Sequence, residues 1–268
     1  MNNNVTLDFF SVLVIGENPE SVMRKFDDLV EVEPYILYKH SDIKKLRVKK
    51  IELYLEFIKT IDDARYIKVI KDKIDELKSI TDEQYYHHLS ELHYYDSNKN
   101  IISNENPNGR WLTCELGGKI YSDKLKTLSN ESTTSALKKD INWSEIHRNE
   151  KTVQLYDTTW ELCVNKKNPE TVGEENILKN MSPYVKLNYF KTFKNKEEYV
   201  KYNSSFFTNA IVINGDWFDM ENKNYLDWIT NFKENFIDKQ IKDNELITIF
   251  ECTKWENQFL LSCCCYQQ

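Results

Sequence analysis

Residues Asp8–Gly16 read DFFSVLVIG. A nearly unbroken run of apolar and β-branched side chains ended by glycine is the pattern of a buried strand. In the next stretch, Glu17-Asn-Pro-Glu-Ser-Val-Met23, Asn18 is placed to cap a helix and Pro19 to open it. An acidic segment, Phe26–Tyr35, follows and is held extended before Pro34. Far along the chain, Leu246-Ile-Thr-Ile-Phe-Glu-Cys252 forms a second strand that closes the core.

Between these strands the period changes. Ile43, Leu46, Leu53, Phe57, Ile61, Ile70, Ile74 and Leu77 recur mostly every three, four or seven residues, with Lys, Glu and Asp between them. That spacing gives two or three amphipathic helices over 41–93, with Ser41 as the first cap and breaks near 60–63 and 79–81. Strand–turn–strand follows from Tyr94, and Asn106-Pro-Asn-Gly109 is a second turn. Lys126–Lys139 reads as a loop, and Lys151–Glu161 and Asn209–Trp217 as strands, with Asn214-Gly215 a hairpin signal. Helical pattern returns over Lys196–Asn203 and Tyr225–Asp238. The fold class is therefore α+β: a mixed or antiparallel sheet with segregated helices and a helical insertion around 41–93. We divide it into a strand–helix opening (1–40), the helical segment (41–93) and the α+β remainder (94–268), as one composite domain.

Composition narrows the function classes. With 40% hydrophobic, 13% aromatic and 29% charged residues in 268, the chain has material for a sizeable core and is not a disordered one. A net charge of −7 argues against whole-surface attraction to nucleic acid or anionic lipid, so no direct specific nucleic-acid binding is expected. No apolar run approaches the ~20 residues that span a bilayer, and Met1-Asn-Asn-Asn-Val5 lacks the basic head of a secretion signal. A cytoplasmic protein without a membrane partner is the expectation.

The search for chemistry assigns no catalytic residue, no metal site and no cofactor. There are only six glycines, and the one after the first strand, Gly16, lies in neither GxGxxG nor GxxxxGK[ST]. No Gly-x-Ser-x-Gly elbow occurs. His87 and His88 sit with Glu91 among tyrosines, without the HExxH spacing of a zinc helix. Cys114, Cys163 and Cys252, with His147, are conceivable nucleophiles that lack any local activating motif. The enzymatic alternative, acting on a nucleotide signal, therefore rests on His87, His88, Glu91 and Cys114. A non-catalytic sponge for a nucleotide messenger is a further alternative, and it requires a pocket of aromatic and basic side chains.

Charge patterning says more. Six acids between Glu17 and Glu33 are followed by Lys39, Lys44, Lys45, Arg47, Lys49 and Lys50. Adjacent blocks of opposite sign steer protein partners and fix register, while a solvated helix face explains the same pattern. Lys44, Lys45, Arg47, Lys49, Lys50 and Trp111 are the candidate interface. Cys263, Cys264 and Cys265 read either as a tail of little consequence or as candidate inter-subunit cysteines of a homo-oligomer.

Val12-Leu-Val-Ile-Gly-Glu-Asn-Pro-Glu20, with Phe26-Asp-Asp-Leu29 and Val32-Glu-Pro-Tyr35, resembles the opening of a family of phage-encoded proteins. Four further blocks follow in the family's order. They are Asn106-Pro-Asn-Gly-Arg-Trp111 with Gly117-Gly118-Lys119; Asp140-Ile-Asn-Trp143; Glu197-Glu-Tyr-Val200 leading to Asn209–Trp217; and Asp243–Cys252. The similarity runs from about residue 12 to 252, with departures at Trp111-Leu-Thr-Cys114 (WDWY in the family) and Gly117-Gly-Lys-Ile120 (GGRW in the family). The resemblance implies inhibitors of the Gabija antiviral system, which oligomerise around a host nuclease–helicase complex and act without catalysis. A counter-defence protein in the cytoplasm of an infected bacterial host, with a host defence complex as partner, is what it leads us to expect.

Overall fold

The computed structural model describes residues 7–59, 64–91, 93–121, 124–180, 189–221 and 223–255. In chain order the strands are β1 (Leu7–Ile15), β2 (Tyr35–Tyr38), β3 (Tyr94–Tyr95), β4 (Ile101–Ser103), β5 (Thr113–Leu116), β6 (Leu125–Lys126), β7 (Ser132–Thr133), β8 (Ser135–Leu137), β9 (Ala210–Ile213), β10 (Asp216–Asp219) and β11 (Leu246–Trp255). The α-helices are α1 (Pro19–Arg24), α2 (Ile43–Ile58), α3 (Ala64–Ser79), α4 (Asp82–Ser90), α5 (Trp143–Ile146), α6 (Glu150–Cys163), α7 (Val172–Asn180), α8 (Lys196–Ser204) and α9 (Tyr225–Phe232). The protein is α+β, with helices and mixed sheets segregated along the chain.

Of the described residues, 7, 25–112 and 254–255 form one unit and 8–24 and 113–253 the other. The helical segment 41–93 therefore does not stand apart, because it shares its unit with β2, β3 and β4.

In the unit of 8–24 and 113–253, six strands make one sheet in the order β10-β9-β1-β11-β5, with β8 also paired to β11. β1 runs parallel to β9, with Leu13 opposite Ile211 and Val14 opposite Val212. Val12, Leu13, Val14, Ile211 and Val212 are all fully buried, which is why the DFFSVLVIG run carries almost no polar residue. Asn209 fixes the start of this pairing: its Oδ1 accepts from the Ser11 amide at 2.8 Å and from the Ser11 hydroxyl at 3.0 Å. Asn214 (φ 54) and Gly215 (φ 83) both take positive φ, the geometry of the tight turn that returns β9 as β10. Trp228, Ile229, Phe232 and Ile237, from α9 and the π-helical turn Lys233–Asp238, pack with Leu13, Ile15, Ile211, Ile247 and Ile249. Each such side chain contributes about 1.5–3 kcal/mol by leaving water. A second cluster joins Trp160, Cys163, Phe190, Phe193 and Tyr199.

Two sequence expectations in this unit are corrected. Lys151–Glu161 is the body of helix α6, not a strand. Its β-branched residues suggest β, but Tyr156, Trp160 and Cys163 share one cluster at helical spacing. Asn149 caps the helix by accepting from the Thr152 amide at 2.8 Å. The expected loop 126–139 holds β7 and β8 and the end of β6, and β8 borders β11 through Ala136 opposite Ile247.

In the unit of 25–112, β2-β4-β3 form an antiparallel sheet. Helices α2, α3 and α4 supply Ile43, Leu77, Tyr85 and Tyr86 to a core with Ile101 of β4. Helix α2 starts at Ile43 after a 3₁₀ turn, His40–Asp42, so Ser41 is not its cap. Thr81 does cap α4, with a reciprocal bond from its own amide to the Gln84 side chain, and so explains the break at 79–81. The expected break at 60–63 lies outside the described residues.

Candidate functional site

The lysine block lies on α2. Its exposed positions, 44, 45, 48, 49, 52, 55 and 56, follow helical spacing, so one face looks outward. Lys44, Lys45 and Lys49 are on that face, with Val48 and Leu55 exposed one heptad apart, while Lys50 is half-buried at its margin. Glu52 and Glu56 occupy its C-terminal half, with Glu56 2.6 Å from Lys59, so the positive charge is confined to the first two turns.

Arg47 belongs elsewhere, which corrects its assignment to the interface. Its side chain is only 17% exposed and its Nη2 lies 2.7 Å from Asp82 Oδ1. Nη1 donates to the Leu77 and Ile80 carbonyls, each at 3.0 Å. The guanidinium thus satisfies orphan carbonyls at the end of α3 and ties them to the first residue of α4.

Trp111 joins segment 25–28 through its backbone. It is half-buried, and its carbonyl accepts from the Asp28 amide at 2.9 Å. The Asn106–Trp111 motif is a clip on segment 25–28. Asn106 Nδ2 donates to the Lys25 and Asp27 carbonyls, both at 2.9 Å, and the Arg110 amide donates to the Phe26 carbonyl at 2.8 Å. A Cβ on Gly109 would overlap Asp28, so the clip needs glycine there.

Sequence reading missed the outer face of the small sheet. Register places Ile36, Ile102 and Tyr94 side by side on one row across β2, β4 and β3. Neighbouring Ile101 points to the other face, into the helical core, so this row faces away from the helices. Ile36 is 50% and Tyr94 76% exposed. The only signal in the sequence was the run of β-strand residues itself, because which face the helices cover is a tertiary fact.

Within the tyrosine–histidine cluster Glu83 is an exposed acidic neighbour of His87. Its carboxylate lies 3.7 Å from His87 Nε2, 4.0 Å from His40 Nε2 and 3.9 Å from Lys99 Nζ. The pairing that α4 makes is therefore His87 with Glu83, one turn before it, rather than with Glu91. Tyr85 and Tyr86 are buried, and His88 and Glu91 are exposed. Cys114 lies in the other unit, on β5, opposite Cys252. No group of three or more His, Cys, Asp or Glu side chains among the described residues is arranged to hold a metal ion.

His147 is engaged by backbone: its Nδ1 accepts from the Phe206 amide at 3.1 Å. Burial, then the neighbouring Arg148 charge, push its pKa down to about 4, so the ring is neutral with its proton on Nε2. Cys163 is buried in the aromatic cluster of Trp160 and Tyr199. Cys263, Cys264 and Cys265 lie outside the described residues.

The Gly117-Gly118 pair has a structural account as well. Both take positive φ, and a Cβ on Gly118 would overlap the side chain of buried Glu251. That carboxylate accepts from the Ile120 amide at 2.7 Å.

This unit also carries a groove of about 440 Å³, lined by Lys124, Lys126, Asn130, Glu145, Ser205 and Phe207 among others. Lys124 Nζ donates to the Phe207 carbonyl at 3.2 Å and lies 4.8 Å from the Tyr121 ring and 5.0 Å from the Phe207 ring. Burial lowers its pKa to about 8. Lys124 and Phe207 are 83 residues apart, so sequence reading did not bring them together. No helix among the described residues is long and apolar enough to cross a membrane. The chain matches no protein-family model, no curated protein and no solved structure.

Proposed function

We propose that the chain is a non-catalytic binding protein. It is made by a phage in the cytoplasm of an infected bacterium, and it forms homo-oligomers that cover a host antiviral complex. The sequence resemblance supports a Gabija nuclease–helicase as the target. The observation that carries the binding reading is the Ile36–Ile102–Tyr94 row, an apolar sheet face left facing solvent. Tyrosine and isoleucine there gain about 1.5–3 kcal/mol each when a partner removes them from water. Lys44, Lys45 and Lys49 on α2 add long-range attraction to an acidic surface. Competing with a DNA substrate calls for more than the ~1,600 Å² of an ordinary interface.

The test is co-expression with the nuclease–helicase complex. Wild-type chain should copurify with it and abolish phage defence. Ile36→Asp and Tyr94→Asp change side chains already exposed, so they should leave the thermal midpoint within about 2 °C and lose copurification. Copurification that survives both substitutions removes this face from the interface, and full defence in cells making the wild type removes the function.

The groove favours one second reading, a sponge for an anionic nucleotide messenger. Lys124 and Lys126 suit phosphate and the Phe207 ring suits base stacking. Mass spectrometry of the protein isolated from infected cells would then find a nucleotide that Lys126→Glu no longer retains. Protein free of nucleotide rules this reading out and leaves the first intact.

A further inference from the structure

Cys114 of β5 and Cys252 of β11 are directly opposite in an antiparallel ladder. The Gly117 amide donates to the Ile249 carbonyl at 2.9 Å, while the Ile249 amide donates to the Thr134 carbonyl, so residue 249 turns its backbone groups toward the side that β5 borders. Counting along the register, residues 251 and 253 turn the same way as 249, and 114 with 252 falls on the alternating non-hydrogen-bonded position. Facing Cα atoms are closest there, about 4.5 Å apart, within the range that a disulfide bridges. The sulfurs are 3.0 Å apart, with the Cys252 thiol donating to Cys114 Sγ. Beside them the Thr113 and Thr253 hydroxyls are 2.6 Å apart, so the ladder is already drawn together at this end.

Access is unequal. Cys252 is fully buried and Cys114 half-buried. We propose that Cys114 and Cys252 are a thiol pair that a small disulfide, of the glutathione-disulfide class, oxidises to an intramolecular bond. The Cys114 thiolate attacks one glutathione sulfur, forming a mixed disulfide and releasing one glutathione thiolate, which takes up a proton. Cys252 then attacks Cys114 Sγ, giving up its own proton to the departing second glutathione. Two protein thiols become one disulfide, and one glutathione disulfide becomes two glutathione thiols. Burial, together with Cys114 beside it, holds the Cys252 thiol well above the usual range, so Cys114 is the group that begins the exchange. The product staples edge strand β5 to β11 and closes the chain over residues 138 apart in sequence.

The full chain is incubated with glutathione disulfide under native conditions and digested without reduction. The expected product is a Cys114–Cys252 linked peptide, two hydrogens lighter than the separate thiols, and a thermal midpoint raised by roughly 5 °C. The same link should form when Cys263, Cys264 and Cys265 are all changed to Ser. Cys114→Ser replaces a half-buried side chain on an edge strand, and in it Cys252 should stay unmodified. Cys114 stopping at the glutathione adduct, pairing with a tail cysteine instead, or Cys252 reacting as fast in Cys114→Ser would each overturn the proposal.

Discussion

Gly118 illustrates how a single residue is fixed by what lies against it. It takes φ 58 directly over Glu251, so Gly118→Ala meets both backbone strain and a buried carboxylate that cannot withdraw without losing the Ile120 amide. A loss of about 2–4 kcal/mol in urea unfolding is expected, and a change below about 0.5 kcal/mol would contradict this packing. His147 gives a pH-dependent prediction. Its folded pKa, about 4, is below the ordinary 6.5, so between those values the unfolded chain binds the extra proton. Its contribution is therefore complete above about pH 6.5 and lost as pH falls toward 4, on the order of 2 kcal/mol for a partly buried ring. Urea titrations at pH 7 and 4.5 should show that difference shrinking in His147→Asn, whose amide oxygen can still accept from Phe206.

Helices and strands were legible where their causes are local. DFFSVLVIG needs only its own side chains to identify a buried strand, and Asn214-Gly215 only its own backbone freedom to identify a hairpin. Helix α6 was misread because Thr152, Val153, Thr158 and Thr159 favour strands one by one, while packing of Trp160 and Cys163 decides the outcome. Arg47 was misassigned for a related reason: its partners Leu77, Ile80 and Asp82 lie 30 to 35 residues onward. The α2 face separates the two roles experimentally. Arg47→Ala should cost roughly 2–3 kcal/mol by leaving helix-end carbonyls and Asp82 unpaired. Lys45→Glu should change stability by under about 0.5 kcal/mol while slowing association with an acidic partner. Equal destabilisation by both would refute the division.

At the scale of the molecule, the candidate site was the least legible part. The block of lysines is visible in any listing of residues, and three of its members do reach the exposed face of α2. The Ile36–Ile102–Tyr94 row, the Lys124 groove and the Cys114–Cys252 pair each require chain segments that meet only on folding. Trp111, conspicuous as an aromatic in the sequence, is half-buried and pairs through its backbone with segment 25–28. The binding reading therefore depends on surfaces, and surfaces are tested by association. Sedimentation velocity of the purified chain mixed with a purified Gabija nuclease–helicase complex at micromolar concentration is the most direct measurement. One faster, stoichiometric boundary containing both proteins is expected, splitting when Tyr94→Asp replaces the wild type. Two boundaries that sediment independently with the wild-type chain would contradict it.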